Sequence, residues 1–210
     1  MSRHPLAETK HTILPRSALT RGRLVNSAQA QCNGLMTQPQ QLRVPRTGVS
    51  VDSTGCDVDD LAFCGAVQVR VGADERWGPL VERAVASGWV GIESLAGVAG
   101  SVEEVTRHNA SQYGQAVADT VVAVRTWDRA TDAQRTFPLI ECGFGGGGSR
   151  FQERVSDGSL RFEILDVAFL FKQGDLSGPV QDPELAEALG IQLGGRAPLA
   201  EVRHAVNQQH

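Results

Sequence analysis

The chain has 210 residues, a formal net charge of −4, 41% hydrophobic residues and 5% aromatic residues. This length suits one domain, or about one and a half. Because aromatic residues are few, the core is expected to be aliphatic. The net charge by itself implies no particular partner. No apolar run approaches the roughly 20 residues of a membrane helix, and the N-terminus lacks the apolar stretch of a secretory signal. We therefore expect a cytoplasmic protein without a membrane partner.

The first part of the chain is basic and weakly patterned. Residues 1–50 carry a formal charge of +6, whereas the remaining 160 residues carry −10. A basic arm can bind nucleic acid, but no aromatic side chains lie among these basic residues to stack on bases. Residues 1–41 also show little hydrophobic periodicity. We expect a solvated N-terminal segment with little ordered structure, and no nucleic-acid partner.

The next segments predict a strand and a helix. A half-buried strand is predicted over 66–71, where apolar and polar residues alternate. A helix is predicted over about 77–87, with proline in its first turn and Gly88 at its end. Trp77 is expected to pack in the core, because large aromatic side chains dominate burial.

Three further strands are predicted over 121–127, 134–137 and 161–171. In the last of these, the apolar residues step from even to odd positions at Leu165 and Asp166, which indicates a bulge. Two short helices close the chain, the first capped by Asp182 and the second covering about 198–206. Hairpins with interspersed helices indicate an α+β fold of antiparallel strands with flanking helices.

The four cysteines are Cys32, Cys56, Cys64 and Cys142. None forms a C-x-x-C pair, and no histidine lies at zinc-binding spacing. They are predicted to be free thiols in a reducing cytosol, and no metal site is expected.

The stretch 89–119 contains the first candidate site. The missing side chains at Gly97 and Gly100 allow a close approach to a ligand, and the N–H groups there can point at an anion. Ser101 is predicted to cap a helix, and Glu104 completes a capping box. A helix start after Gly-x-x-Gly is a place where phosphates bind. The alternative is an ordinary glycine-containing loop that leads into a helix.

A second glycine-rich run, 143–148, formally satisfies G-x-G-x-x-G, with Asp166 about 20 residues further on. A dinucleotide fingerprint needs a strand before it and a helix after it. Here Pro138 interrupts the approach and no helical apolar period follows, so the fingerprint is rejected. The residues alone indicate a mobile loop, because consecutive glycines maximise backbone entropy.

The stretch 89–119 is similar to the flavin-contacting signature of the UDP-N-acetylenolpyruvoylglucosamine reductase (UDP-N-acetylmuramate dehydrogenase, MurB) family. The similarity continues through 52–55, 142–145 and 173–177, and the matches keep their order and spacing over about 42–206. Within the signature, the matching residues are Gly91, Glu93, Leu95, Gly97, Gly100, Ser101, Val102, Asn109, Tyr113, Gly114, Gln115 and Asp119.

The resemblance implies an FAD-binding (PCMH-type) middle domain over 42–175. A short helical segment is expected over 176–210, and the C-terminal substrate domain that the family has is expected to be absent. The resemblance further implies FAD as cofactor, NADPH as reductant and a UDP-sugar substrate. The implied reaction reduces UDP-N-acetylglucosamine enolpyruvate to UDP-N-acetylmuramate, a peptidoglycan precursor. The residues implied to bind the cofactor are Gly97, Gly100, Ser101, Val102, Asn109, Tyr113 and Gly114.

The sequence also departs from the family pattern. Gly147 stands where the family has the arginine that stabilises an enolate-like intermediate, and losing such a group costs about 10²–10³-fold in rate or more by analogy with an oxyanion donor. Glu103 replaces a glycine at a point where the family lets a phosphate approach. His108 replaces a glutamine and is expected to face solvent or serve in a loop. No catalytic residue is assigned.

These departures leave two functions open. The first is the flavin-dependent reduction that the resemblance implies, with the isolated chain expected to be inactive. The second is a catalytically inactive, truncated remnant that binds at most a nucleotide or a partner. A second polypeptide that complements the chain is a further possibility.

Overall fold

The computed structural model describes residues 46–52 and 65–209. The predictions for segment 1–41 and for Cys32, Cys56 and Cys64 lie outside these residues. The strands are β1 (Val49–Asp52), β2 (Ala66–Gly72), β3 (Trp89–Val90), β4 (Ser111–Gln112), β5 (Gln115–Ala116), β6 (Val121–Asp128), β7 (Ala133–Pro138) and β8 (Phe162–Gln173). The α-helices are α1 (Trp77–Ala86), α2 (Val102–Arg107), α3 (Pro183–Ala188) and α4 (Leu199–Gln208).

The main sheet has the strand order β1-β2-β8-β6-β7, and β3 pairs with one end of β8. Every pairing in it is antiparallel. Strands β4 and β5 form a separate two-stranded hairpin. Antiparallel strands with helices between and after them make an α+β architecture, and the predicted fold class is confirmed.

The alternation along β2 places its valines in the core. Val67, Val69 and Val71 are buried, whereas Gln68 and Arg70 between them are exposed. Successive side chains of a strand point to opposite faces, so one face of β2 packs inward and the other carries polar groups. The predicted strand is confirmed and extends by one residue, to Gly72.

Helix α1 packs on this core through one face. Its buried residues are Trp77, Leu80, Val81 and Ala84, and the chain leaves the helix through Gly88, whose φ is +68°. The indole Nε1 of Trp77 donates a 3.0 Å hydrogen bond to the carbonyl of Leu95. The side chain is fully buried, so Trp77 is a packing residue as predicted, and it ties α1 to the candidate site.

The predicted bulge in β8 is present. Arg125 of β6 pairs with Asp166 and Thr126 pairs with Ile164, which leaves Leu165 as the extra residue. Because of this insertion, Ile164 and Val167 both belong to the main apolar core. One extra residue therefore lets β8 keep a continuous apolar face along its length.

The C-terminal helices form a second apolar cluster. Asp182 Oδ1 accepts the N–H of Leu185 at 3.0 Å and so caps α3, as predicted. The buried members of the cluster are Val180, Leu185, Ala186, Ala197, Val202, Ala205 and Val206. Tyr113 and Ala96 of the central stretch pack against them. The C-terminal segment therefore contacts the candidate site directly.

Helices α1 and α4 have ten residues each. No helix within 46–52 and 65–209 combines the length and apolar composition needed to cross a bilayer.

Candidate functional site

Helix α2 begins with the predicted capping box. Ser101 N donates to Glu104 Oε2 at 2.8 Å, Ser101 Oγ donates to the same oxygen at 3.1 Å, and Glu104 N donates to Ser101 Oγ at 3.3 Å. The hydrogen bond from the Ser101 backbone lowers the pKa of Glu104 below its ordinary value. The carboxylate of Glu104 therefore lies at the positive end of α2, where an anion is favoured.

The other N–H groups of the first turn of α2 also donate to protein atoms. Val102 N donates to the carbonyl of Glu75, and Glu103 N donates to the carbonyl of Ala73, both at 2.9 Å. The side chain of Val102 is fully buried in the main core. These bonds attach the start of α2 to the β2–α1 connection.

Gly100 is needed for the capping box itself. Its φ of +118° favours glycine, and a Cβ built on it would lie 2.8 Å from Glu104 Oε2. Its carbonyl accepts the N–H of Trp77 at 3.0 Å. The space left by the missing side chain is thus taken up by Glu104. Gly97, the other predicted glycine of this turn, is partly buried.

Glu103 of α2 is held in an ion-pair cluster. Its two carboxylate oxygens pair with Arg46 and Arg107. Arg46 also contacts Asp74 at 2.9 Å and Glu163 at 3.1 Å. The negative side chain is therefore directed toward arginines. Sequence reasoning missed Arg46, which precedes the first described strand and shows no motif.

The second predicted turn is a tight hairpin between β4 and β5. Its corner residues, Tyr113 and Gly114, have φ values of +49° and +80°, as in a type I′ turn. The Tyr113 hydroxyl donates to Gln209 Oε1 at 2.5 Å. A Cβ at Gly114 would lie 3.0 Å from the Cβ of Gln181. Both corner residues therefore face the C-terminal segment.

Asn109 and His108 lie at the end of α2. Asn109 has a φ of +45°, and its Oδ1 accepts the N–H of Ala118 at 3.1 Å. His108 is exposed, and its Nδ1 lies 3.0 Å from Gln152 Nε2. The expected solvent-facing loop position of His108 is confirmed.

Glu93 joins two parts of the family signature to the residue that follows the last matching segment. Its side chain is fully buried, and its carboxylate accepts hydrogen bonds from Gly91 N at 2.6 Å, Gln115 Nε2 at 2.8 Å and Gly178 N at 3.3 Å. Gln115 Oε1 accepts Ser94 N at 2.9 Å, which fixes the orientation of the amide. Glu93 matched the family signature, but sequence reasoning gave it no role. A charged residue between the apolar Ile92 and Leu95 was the available signal.

The groups that contact Glu93 also line a groove of about 320 Å³. Gly91, Gln115 and Gly178 form part of its wall, together with the exposed Lys172. A cavity of about 740 Å³ shares Lys172 with the groove and extends across β6 and β8. None of the seven residues predicted to bind FAD is among the described residues that line the groove or the cavity.

The glycine run forms a closed turn. Gly145 and Gly148 exchange backbone hydrogen bonds of 3.1 and 2.8 Å, and Gly146 and Gly147 between them have positive φ. Arg150 N donates to the carbonyl of Cys142 at 3.0 Å and closes the base. The predicted loop is thus a hydrogen-bonded turn, and its mobility stays a prediction. At Gly147 no atom would lie within 4 Å of an added Cβ.

As arranged, the predicted cofactor residues do not fit a flavin pyrophosphate. The donors at the start of α2 already have protein acceptors, and the space at Gly100 is filled by Glu104. Asn109 and Tyr113 use their side chains in bonds within the protein. The role of these residues in binding FAD stays a prediction.

Sequence comparison finds that the chain is similar to proteins that are all named as one kind of reductase. The chain is 40% identical over 162 residues to the UDP-N-acetylenolpyruvoylglucosamine reductase of Salinispora arenicola, covering 77% of this chain and 43% of that protein. The proteins of the same name from Thermobifida fusca and Cutibacterium acnes are each 37% identical, over 163 and 160 residues. Both alignments cover 76% of this chain, and they cover 43% and 41% of the relatives. The chain thus spans about two fifths of the length of these relatives.

A solved structure is also similar to part of the chain. The crystal structure of UDP-N-acetylenolpyruvylglucosamine reductase (MurB) from Thermus caldophilus aligns with a TM-score of 0.46 and 21% sequence identity, covering 67% of this chain and 42% of that chain. No protein-family model matches the chain. From the sequence relatives, about three quarters of this chain is homologous to the UDP-N-acetylenolpyruvoylglucosamine reductases, the family that the signature residues indicated.

Proposed function

We propose that the protein takes part in the reduction of UDP-N-acetylglucosamine enolpyruvate to UDP-N-acetylmuramate in the cytoplasm, with FAD as cofactor and NADPH as reductant. The observation that carries the proposal is that Gly91, Gln115 and Gly178 all donate hydrogen bonds to the carboxylate of Glu93. Gly91 and Gln115 belong to the family signature, and Gly178 follows the last matching segment. Homologues named for this reaction support the same assignment.

Within this proposal, residues 42–175 form the FAD-binding type of domain, and 176–210 form the short helical segment, whose described residues pack against Ala96 and Tyr113. The position of the family arginine is the exposed corner Gly147, where an added Cβ would meet no atom within 4 Å but the φ of +78° is strained for a residue other than glycine. A fixed cation at that corner is needed to stabilise negative charge that develops in the reaction. We therefore propose that the isolated chain does not turn over by itself.

The experiment supplies an arginine at position 147 and the C-terminal domain of a relative together. The purified chain, its Gly147→Arg variant and both proteins mixed with the C-terminal domain of the Salinispora arenicola reductase are given FAD, NADPH and substrate. NADPH oxidation that requires the UDP-sugar is expected for Gly147→Arg mixed with that domain, and not for either chain alone, because residues that act as a unit are non-additive. Absence of turnover from every mixture would reject the reductase function.

A second candidate is a non-catalytic module that binds a nucleotide or a partner. Two observations favour it. Gly147 provides no positive charge at the position of the family arginine, and Glu103 is already paired with Arg46 and Arg107. This candidate predicts that the Gly147→Arg mixture stays inactive. The two candidates therefore differ in the result of the same assay.

A further inference from the structure

We propose that Glu104 occupies, from within the protein, the anion position predicted at the start of α2, so that the phosphates of FAD are not held there. The inference rests on the proposed function, because it concerns the cofactor of that function. It names a contact built into the chain, and it accounts for the poor fit between the predicted cofactor residues and a pyrophosphate.

Glu104 competes with a phosphate for the same hydrogen-bond donors. The positive end of a helix attracts a carboxylate for the same physical reason that it attracts a phosphate. Glu104 Oε2 already receives Ser101 N at 2.8 Å and Ser101 Oγ at 3.1 Å. A phosphate at this place would have to displace a carboxylate that is attached to the helix itself and is therefore always present.

The next two N–H donors of α2 are directed into the protein. Val102 N and Glu103 N donate to the carbonyls of Glu75 and Ala73, each at 2.9 Å. These acceptors are main-chain atoms between β2 and α1, so they cannot rotate away as side chains can. Freeing the two donors would require α2 to separate from the β2–α1 connection.

Charge and space also oppose a pyrophosphate at the start of α2. Glu103 and Glu104 place two carboxylates at the first turn, and only Glu103 pairs with arginines, Arg46 and Arg107. An incoming pyrophosphate would meet the carboxylate of Glu104 at short range, and like charges at that range repel. The space above Gly100 is also taken, since a Cβ there would lie 2.8 Å from Glu104 Oε2.

The experiment is amide hydrogen exchange on the full chain with and without FAD at about 100 μM, a concentration that detects interactions of roughly 5.5 kcal/mol. The exchange rates at Ser101 and Glu104 are expected to change less than twofold on adding FAD. In Ser101→Ala, exchange at Glu104 is expected to rise about tenfold, because the capping acceptor is removed. Ser156→Ala, an exposed serine elsewhere, is the matched control.

Each outcome bears on the inference. FAD binding that protects other amides and is unaffected by Ser101→Ala supports both the inference and the proposed function. No FAD binding at all supports the inference and counts against the FAD-dependent function. If adding FAD slowed exchange at Ser101 and Glu104 tenfold in the unmodified protein, the inference would be overturned. This measurement does not depend on whether the variant folds.

Discussion

The buried carboxylate of Glu93 accepts a 2.8 Å hydrogen bond from Gln115 Nε2 across 22 residues of chain. The same carboxylate receives backbone N–H groups from Gly91 and Gly178. Gln115 in turn accepts the N–H of Ser94. These hydrogen bonds stabilise the fold only while both partners of each stay in place. A buried donor or acceptor left without its partner carries its full desolvation cost.

Glu93→Gln is therefore predicted to lower the free energy of unfolding by about 1–3 kcal/mol. Glutamine keeps the size of the side chain but turns an N–H₂ group toward one of the donors. Urea unfolding of the two proteins gives the difference, with Glu82→Gln on the exposed side of α1 as the control. Equal loss in the two variants would show that the contacts of Glu93 contribute nothing specific.

The capping box of α2 predicts a pH-dependent contribution to stability. The pKa of Glu104 is lowered in the folded protein, first by the backbone hydrogen bond from Ser101. Its contribution is present above the ordinary glutamate pKa of about 4.3 and is lost as the pH falls through the lowered folded pKa. At neutral pH, Ser101→Ala should cost about 1 kcal/mol. Thermal unfolding should show this loss shrinking toward acidic pH, and a loss that is constant with pH would contradict the charged cap.

Asp128 at the end of β6 forms a two-pronged pair with Arg161. The Nε–Oδ1 and Nη2–Oδ2 distances are 2.9 and 2.8 Å, and Asp128 is only 1% exposed. These bonds lower the pKa of Asp128, so its stabilising effect is present above the ordinary aspartate pKa of about 3.9 and is lost below it. Asp128→Asn should cost about 2 kcal/mol at neutral pH.

The matched control for this pair is Asp132→Asn in the same hairpin, because Asp132 is exposed and has a positive φ that asparagine also tolerates. Denaturant unfolding at neutral pH and near pH 3 compares the variants. If the cost of Asp128→Asn did not decrease at the acidic pH, the linkage with the Arg161 pair would be wrong.

Cys142 is a buried free thiol whose pKa is raised by burial to about 12. At about pH 8, only about one molecule in 10⁴ carries the reactive thiolate. A thiol-alkylating reagent should therefore leave Cys142 unmodified in the native protein and modify it within minutes in denaturant. Peptide mapping by mass spectrometry reads this position separately, and rapid native labelling would show that the site opens or that the thiol is ionised.

Local interactions are the part of this structure that the sequence could predict. The alternation of Val67, Val69 and Val71 predicts β2, because the side-chain period of a strand is two residues. Ser101 and Glu104 predict the start of α2, because both halves of a capping box lie within one turn. The bulge at Leu165 follows from a change of parity in a long apolar strand.

Non-local partners could not be predicted in the same way. Glu103 pairs with Arg46 across 57 residues, and Tyr113 bonds to Gln209 across 96 residues. No spacing rule connects such residues, because the fold alone brings them together. The glycines of the candidate site show the same limit, since Gly100 and Gly114 leave room for Glu104 and Gln181, which sequence reasoning could not distinguish from room for a ligand.

The most direct test of the proposed function is detection of its product. Gly147→Arg, mixed with the C-terminal domain of the Salinispora arenicola reductase and supplied with FAD, NADPH and UDP-N-acetylglucosamine enolpyruvate, is analysed by mass spectrometry. The account predicts a UDP-sugar that has gained two hydrogens, formed in proportion to the NADPH consumed, and formed about 10²–10³-fold more slowly when Gly147 is retained. No such product in the Gly147→Arg mixture, under conditions in which the intact Salinispora arenicola enzyme forms it, would contradict the reductase function.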